Sequence, residues 1–199
     1  QEAHTMDVIV FDKTGTLTKN EMTVTRLYSS NSLIDVSGEG YNTEGEFFFK
    51  KKKINPEQLH TLLLVCASCN NAVSPSIGDP TELALLVLAK KGHINKIEER
   101  VYEIPFDATQ KYMMTTHKIN HEEISFLKGA PEVILRFCDS FDRMGKTVQL
   151  KRSDRLHIEQ IHHDMTNQAL RVLAAAYKKK GKIIFLGLIG MIDPPRHEV

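Results

Sequence analysis

Tryptophan is missing altogether, cysteine occurs three times, and neither sign of charge predominates: Lys+Arg number 26 and Asp+Glu 25, a formal net charge of +1. Without a basic excess the chain lacks the electrostatic footprint of a nucleic-acid binder, so no nucleic acid is expected as a partner. Three cysteines cannot close into pairs, and 199 residues can bury a core without disulfide staples, so free thiols in a reducing compartment are expected. Long apolar runs are scarce too. The longest, Ile183 to Ile192, is about half of what a membrane-spanning helix needs. Gln1 to Asp7 is polar and has no signal-peptide core, so a soluble chain is expected. Repeats are absent, and low complexity is limited to the lysine runs Lys50 to Lys53 and Lys178 to Lys180, both expected as exposed turns.

What is present is globular: 41% hydrophobic and 26% charged residues, enough for one large domain or one domain and a fragment. Val8 to Phe11 has the look of a buried strand, and Met22 to Tyr28 with Ser32 to Val36 reads as a hairpin. Pro56 to Asn70 has helical spacing in Leu59, Leu62, Leu63 and Cys66. The next helix should start at Asp79, with Pro80 at its first position and Glu82 closing a capping box, and should stop near Gly92. Strands are expected at Val101 to Ile104, Lys111 to His117, Ile124 to Leu127 and Thr147 to Leu150, with helices at Pro131 to Phe137 and Asp154 to Gln168. Leu170 to Tyr177 fits either a helix continuation or a strand. Ile183 to Ile192 reads as a buried strand whose character differs from the antiparallel middle, a stray piece of a second sheet.

Chemistry concentrates where the first strand ends. Ligands of α/β folds sit beyond the carboxyl ends of strands, which is where Asp12 lies. Gly15 allows a tight turn, and Thr14 and Thr16 offer hydroxyls and backbone N–H groups to a phosphate oxygen. A carboxylate attacks a phosphoryl group once a divalent cation offsets the repulsion between them. Phosphatases of this kind often carry a second acid two residues on, where this chain has Thr14; an aspartyl-phosphate formed here should therefore persist.

The heptad Asp12-Lys13-Thr14-Gly15-Thr16-Leu17-Thr18 resembles the phosphorylation motif of P-type ATPases, ion pumps that pass through an aspartyl-phosphate. Gly78-Asp79-Pro80-Thr81-Glu82, Pro105-Phe106, Lys128-Gly129-Ala130-Pro131-Glu132, Arg171-Val172-Leu173 and Asp193-Pro194-Pro195-Arg196 follow in the order of type II members. The resemblance implies an α+β nucleotide-binding domain over 21–186, mostly antiparallel sheet flanked by helices. Residues 1–20 and 187–199 would be terminal strands of an incomplete α/β phosphorylation domain. It also makes Arg171 to Tyr177 a strand. ATP and Mg2+ are implied, along with the remaining phosphorylation, actuator and transmembrane domains of the same pump, this part being cytoplasmic. Asp12, Lys13 and Thr14 would be catalytic, with Mg2+ held partly by Asp12 and the Thr14 carbonyl. Glu82, Phe106, Lys111, Lys128, Gly129, Arg171, Asp193 and Arg196 would bind nucleotide.

Taken alone, Phe106 reads as a core ring, Lys128 as a solvated lysine, Arg171 as a helix-end salt bridge and Glu82 as half of a capping box; the resemblance turns Phe106 toward adenine stacking, worth about 1–3 kcal/mol on a base. Ala108 stands where many relatives carry a basic residue, and Phe11 is more usual in heavy-metal pumps, yet their His-Pro signature is absent. Gly38-Glu39-Gly40-Tyr41 and Glu44-Gly45-Glu46-Phe47 look most like calcium pumps. Three other motifs read as structural: Gly145-Lys146-Thr147 as a turn, Cys66 and Cys69 as a helix face rather than zinc ligands, and His157, His162 and His163 as a solvated helix face. The rivals are a soluble haloacid dehalogenase-like phosphatase, against which Thr14 argues, and a non-catalytic interaction module.

Overall fold

The computed structural model, which describes residues 16–73 and 77–194, folds the strands into one sheet with helices on both faces. The strand expected at Val8 to Phe11 lies outside the described residues. β1 (Thr23–Ser29) and β2 (Ser32–Val36) form the expected hairpin, turning through Ser30 and Asn31, both at positive φ. Two successive left-handed residues match the twist of the flanking strands. β3 (Phe47–Phe49) and β4 (Lys52–Ile54) continue outward through a similar turn at Lys50 and Lys51. The first lysine run is therefore half turn and half edge strand, and charged edges resist pairing with another chain.

A 3-10 turn at Pro56–Leu59 leads into α1 (His60–Ser68), and α2 (Pro80–Lys91) follows. β5 (Arg100–Asp107), β6 (Tyr112–Ile119) and β7 (Glu122–Gly129) form a meander. Next come α3 (Pro131–Phe137), the hairpin β8 (Ser140–Arg143) and β9 (Lys146–Gln149), and α4 (Arg152–Asn167). Met144 and Gly145, both at positive φ, make the turn expected there. Ala169, also left-handed, follows the end of α4, and β10 (Arg171–Lys179) and β11 (Lys182–Ile192) complete the sheet. Segment 170–177 is thus a strand.

Across the sheet the order is β4-β3-β2-β1-β11-β10-β7-β6-β5, antiparallel throughout, with β8 joined in parallel beside β11. The described residues form eleven strands and four helices, the α+β class expected. β11 corrects one expectation: it is a central strand of this sheet, not a stray of another. Its continuous apolar run reports burial on both faces, and that says nothing about the direction of its neighbours. The expected boundary at residue 187 falls inside β11, whose pairing continues through Ile192.

Side chains alternate between two cores. Leu27, Phe126, Ala175 and Ile189 pack with α1 and α2 on one face; Tyr28, Leu127, Ala174 and Leu188 pack with α3 and α4 on the other. Burying one such large side chain contributes about 1.5–3 kcal/mol. At the far end of α2 the buried Lys91 donates from Nζ to the Ser37 carbonyl at 2.8 Å, and burial holds its ammonium below the ordinary lysine value. A Cβ on Gly45 would lie 2.9 Å from Lys91 Cδ and 2.4 Å from the Ser37 oxygen, which is the physical content of the glycine-rich segment. The two ends of the described chain run side by side, with Lys19 N donating to Pro194 O at 3.1 Å and Thr18 Oγ1 to Asp193 Oδ2 at 2.6 Å.

Gly187 is where the sheet tolerates no side chain, since a Cβ there would sit 2.1 Å from the Tyr28 carbonyl oxygen across the β1–β11 ladder. Gly187→Ala is expected to cost about 3 kcal/mol, the upper part of the range for overpacking. Urea unfolding followed by far-UV circular dichroism checks it, and an unchanged midpoint would refute it.

Candidate functional site

α2 begins where its cap was expected: Asp79 accepts from Thr81 N at 2.8 Å and Glu82 N at 3.4 Å, Pro80 takes the first position and Gly92 follows the last. Among the described residues the return half of the capping box is not made. The Glu82 carboxylate turns off its own helix, Oε1 accepting from Lys128 Nζ at 2.6 Å and Oε2 from Asn71 N at 3.2 Å. A charge-assisted bond is about twice as strong as a neutral one, so the ammonium wins the carboxylate.

Lys128 is placed by β7, on the α1–α2 face shared with Phe126 and opposite Met113. Its side chain is 8% exposed and that of Glu82 18%, so this is an inward-facing ion pair and not a solvated lysine. Losing one partner would strand a buried charge at a cost of about 3–5 kcal/mol. Gly129 follows because β6 passes close: a Cβ would lie 2.4 Å from the Lys111 carbonyl oxygen and 2.8 Å from Tyr112 Cα.

Lys111 itself contributes backbone. Its left-handed conformation aims its carbonyl at Ala130 N, 2.9 Å away, while its exposed side chain reaches Glu132 at 3.7 Å and does not line the cleft. Phe106 lies where the β5–β6 register shifts between Ile104 and Asp107, and the preceding Pro105 has no N–H to give the ladder. The ring is 59% exposed, which overturns the core reading.

Phe106, Pro105, Met113, Lys128, Glu82 and Arg171 surround a cavity of about 380 Å³, within the usual size range of small-molecule pockets. Arg171, the first residue of β10 and exposed, also borders a second cleft of about 310 Å³ that Asp193 and Asn20 line. The structure thus gathers Glu82, Phe106, Lys128, Gly129 and Arg171 at one cleft and sets Asp193 in the adjoining one. Asp12, Lys13, Thr14 and Arg196 lie outside the described residues.

Sequence reasoning missed a neighbouring network. Arg100 donates from Nη1 to Asn71 Oδ1 at 2.6 Å and Glu103 Oε2 at 2.8 Å, and from Nη2 to the carbonyls of Ser68 at 3.1 Å and Asn70 at 2.5 Å. Asn71 Nδ2 closes the ring on Glu103 Oε1 at 3.0 Å. The Asn71 bond, then the Arg100 guanidinium, hold the Glu103 carboxyl below its usual value. In a regular strand residues three apart face opposite ways. The register shift between Arg100 and Tyr102 brings this pair together, so periodicity carried no signal.

Behind it, the buried His117 has Nδ1 2.9 Å from Glu98 O and Nε2 2.9 Å from Thr115 Oγ1, with burial lowering its pKa from the ordinary 6.5. Cys66 and Cys69 are buried, the Cys66 thiol pushed up to about 12 by burial, and Cys69 Sγ donates to Met113 O at 3.6 Å. No group of His, Cys, Asp or Glu among the described residues could hold a metal ion. No helix among them is long and apolar enough to cross a membrane.

The cleft thus sets an exposed aromatic beside a buried cation–carboxylate pair, with an arginine farther along. A family model described as "P-type ATPase, cytoplasmic domain N" matches residues 58–198, so the chain belongs to the P-type ATPases. It is 39% identical over 206 residues to the calcium-transporting ATPase type 2C member 1 of Bos taurus, covering 96% of this chain and 22% of that protein. It is 40% identical over 205 residues to the human type 2C member 2, covering 95% and 22%. Against calcium-transporting ATPase 1 of Bacillus cereus it is 36% identical over 208 residues, covering 96% and 22%. The chain therefore spans about a fifth of the length of these relatives.

Gly129→Ala forces the β6–β7 backbones apart under Lys128, with an expected loss of about 1–3 kcal/mol; thermal unfolding of the variant measures it. Burial lowers the His117 pKa in the folded chain, so as pH falls the unfolded chain takes up the proton first. Stability should be insensitive to this group above pH 6.5 and fall as pH drops below it. Urea titrations at several pH values check the sign, and His117→Gln should flatten that part of the profile.

Proposed function

We propose that the cleft between α2 and β5 binds ATP, with the adenine against Phe106. The observation that carries this reading is the 59% exposed ring at the mouth of a cavity whose inner wall is the Lys128–Glu82 pair. A base can stack on this exposed ring without hydrogen-bond demands on it. Lys128 and Glu82 supply a donor and an acceptor to the base edge, and Gly129 allows close approach. Arg171 offers its planar fork to a phosphate oxygen. The second cleft continues from Arg171 toward Asp193, giving the phosphates a course toward the end of the described chain. Lys111 lies outside the cleft walls and would reach the phosphates once its pair with Glu132 opens.

The intact protein, on this reading, is a calcium-transporting P-type ATPase in which Asp12 takes the γ-phosphoryl group of ATP and ADP leaves. Its relatives' names and the Asp12-Lys13-Thr14-Gly15-Thr16 motif support the assignment. Mg2+ would be held in part by the Asp12 carboxylate and the Thr14 carbonyl, offsetting the repulsion between the two anions. Arg196 would add a further phosphate contact, and Lys13 would help neutralise the transferred group. Residues 1–20 and the segment after β11 belong to the phosphorylation domain; continuity of β11 favours the return crossing at 193–194 over 187. The actuator and transmembrane parts of the pump are the partners, and this portion is cytoplasmic.

The chain alone should bind nucleotide weakly, with Kd near millimolar or somewhat better, about −4 to −5 kcal/mol. NMR titration with ATP, AMP and GTP should show shifts at Phe106, Lys128 and Glu82 that ATP and AMP share. Phe106→Ala should raise Kd roughly five- to 150-fold, as loss of about 1–3 kcal/mol of stacking requires. Equal affinity in the variant would sink the adenine assignment.

A further inference from the structure

We infer that Arg100 is a positioning residue for the base-binding cleft: its guanidinium fixes the distance between the wall that carries Phe106 and the wall that carries Glu82. This rests on the nucleotide reading above and goes beyond it, because Arg100 does not line the cavity.

β5 is an edge strand of the sheet, with β6 on one side only. Its pairing with β6 breaks register twice, between Arg100 and Tyr102 and between Ile104 and Asp107, and Phe106 stands in the second break. A strand so loosely laddered does not by itself hold an aromatic ring at a set distance from α2. The opposite wall is tied to the end of α1. Asn70 and Asn71 follow the end of α1, and from there Asn71 N reaches Glu82 Oε2 while Asn70 Nδ2 reaches the Glu82 carbonyl at 2.8 Å.

Arg100 joins the two. One guanidinium engages Ser68, Asn70 and Asn71 on the α1 side and Glu103 on the β5 side. Its planar fork can serve these diverging acceptors together, whereas a lysine ammonium is a compact point charge on a flexible stem. Asn71 is the shared member: its side chain belongs to the Arg100–Glu103 ring and its backbone N–H holds the carboxylate that pairs with Lys128. Displacing Arg100 would therefore move Glu82 and Phe106 relative to each other while leaving both residues present.

The test compares the chain with Arg100→Lys, which keeps the charge, and Arg100→Met, using AMP as the probe. Amide hydrogen exchange without ligand and NMR titration with AMP are both recorded. The expected result for Arg100→Lys is faster exchange confined to residues 70–72 and 104–107, a five- to tenfold rise in the AMP Kd, and a smaller shift of the Phe106 ring protons at saturation. Should Arg100→Met fail to fold, Arg100→Lys alone decides. AMP affinity unchanged in Arg100→Lys overturns the inference. So does weaker binding accompanied by faster exchange throughout β10 and β11, which would make the arginine merely structural. If the unsubstituted chain shows no AMP shifts, the nucleotide reading itself has failed and this inference falls with it; that outcome is visible before any variant is made.

Discussion

A lysine ammonium held under the rim of a sheet must be paired, and much of the cleft follows from that demand. Lys128 is 6% exposed, and its distance of 2.6 Å from Glu82 Oε1 places the carboxylate off the axis of α2. Because Glu82 answers Lys128, it gives up the return bond of a capping box, and Asp79 alone caps the helix. The same carboxylate anchors Asn71, and through Asn71 the cleft connects to Arg100 and to the edge strand. A hydrophobic pair of similar volume would pack here with less desolvation cost. The pair instead leaves a donor and an acceptor facing the cavity.

The pair can be held because the sheet beneath it is covered on both faces. β10 and β11 carry apolar residues that alternate between the α1–α2 core and the α3–α4 core, with the small Ala174, Ala175 and Ala176 all fully buried. Small side chains let helices approach from both sides. Gly187 and Gly129 mark two places where backbones approach too closely for a side chain, one at the centre of the sheet and one under the cleft. Lys91 ties the opposite end of α2 to the glycine-rich segment. The helix that carries Glu82 is thereby fixed at both ends.

Much of this was legible from residue order. The cap at Asp79, the helix at 131–137 and the meander strands follow from local chemistry that tertiary packing reinforces. The gathering of Glu82, Phe106, Lys128 and Arg171 was legible only through the motifs, since residues scattered between positions 82 and 171 share no periodicity. Three features escaped. The double burial of β11 imitates a strand from a parallel sheet, because an apolar run encodes burial and not direction. The short strands β3, β4 and β8 are held by pairing with neighbours more than by their own composition. The Arg100 ring depends on a register shift that no alternation pattern encodes.

Placing the aromatic wall on an edge strand has a physical logic. A central strand is pinned on both sides and buried on both faces, so its side chains cannot present 59% of a phenylalanine to solvent. An edge strand can, but its free side leaves it compliant. Pro105 and the register shift aim the ring outward and weaken the ladder at the same step. Recognition at this position therefore requires bracing from outside the sheet. The described residues supply it through charge-assisted bonds from Arg100 to the α1–α2 connection, which resist separation better than neutral ones. The fold gains an accessible aromatic ring by loosening one strand and recovers its position by fastening that strand to the helix pair holding the carboxylate.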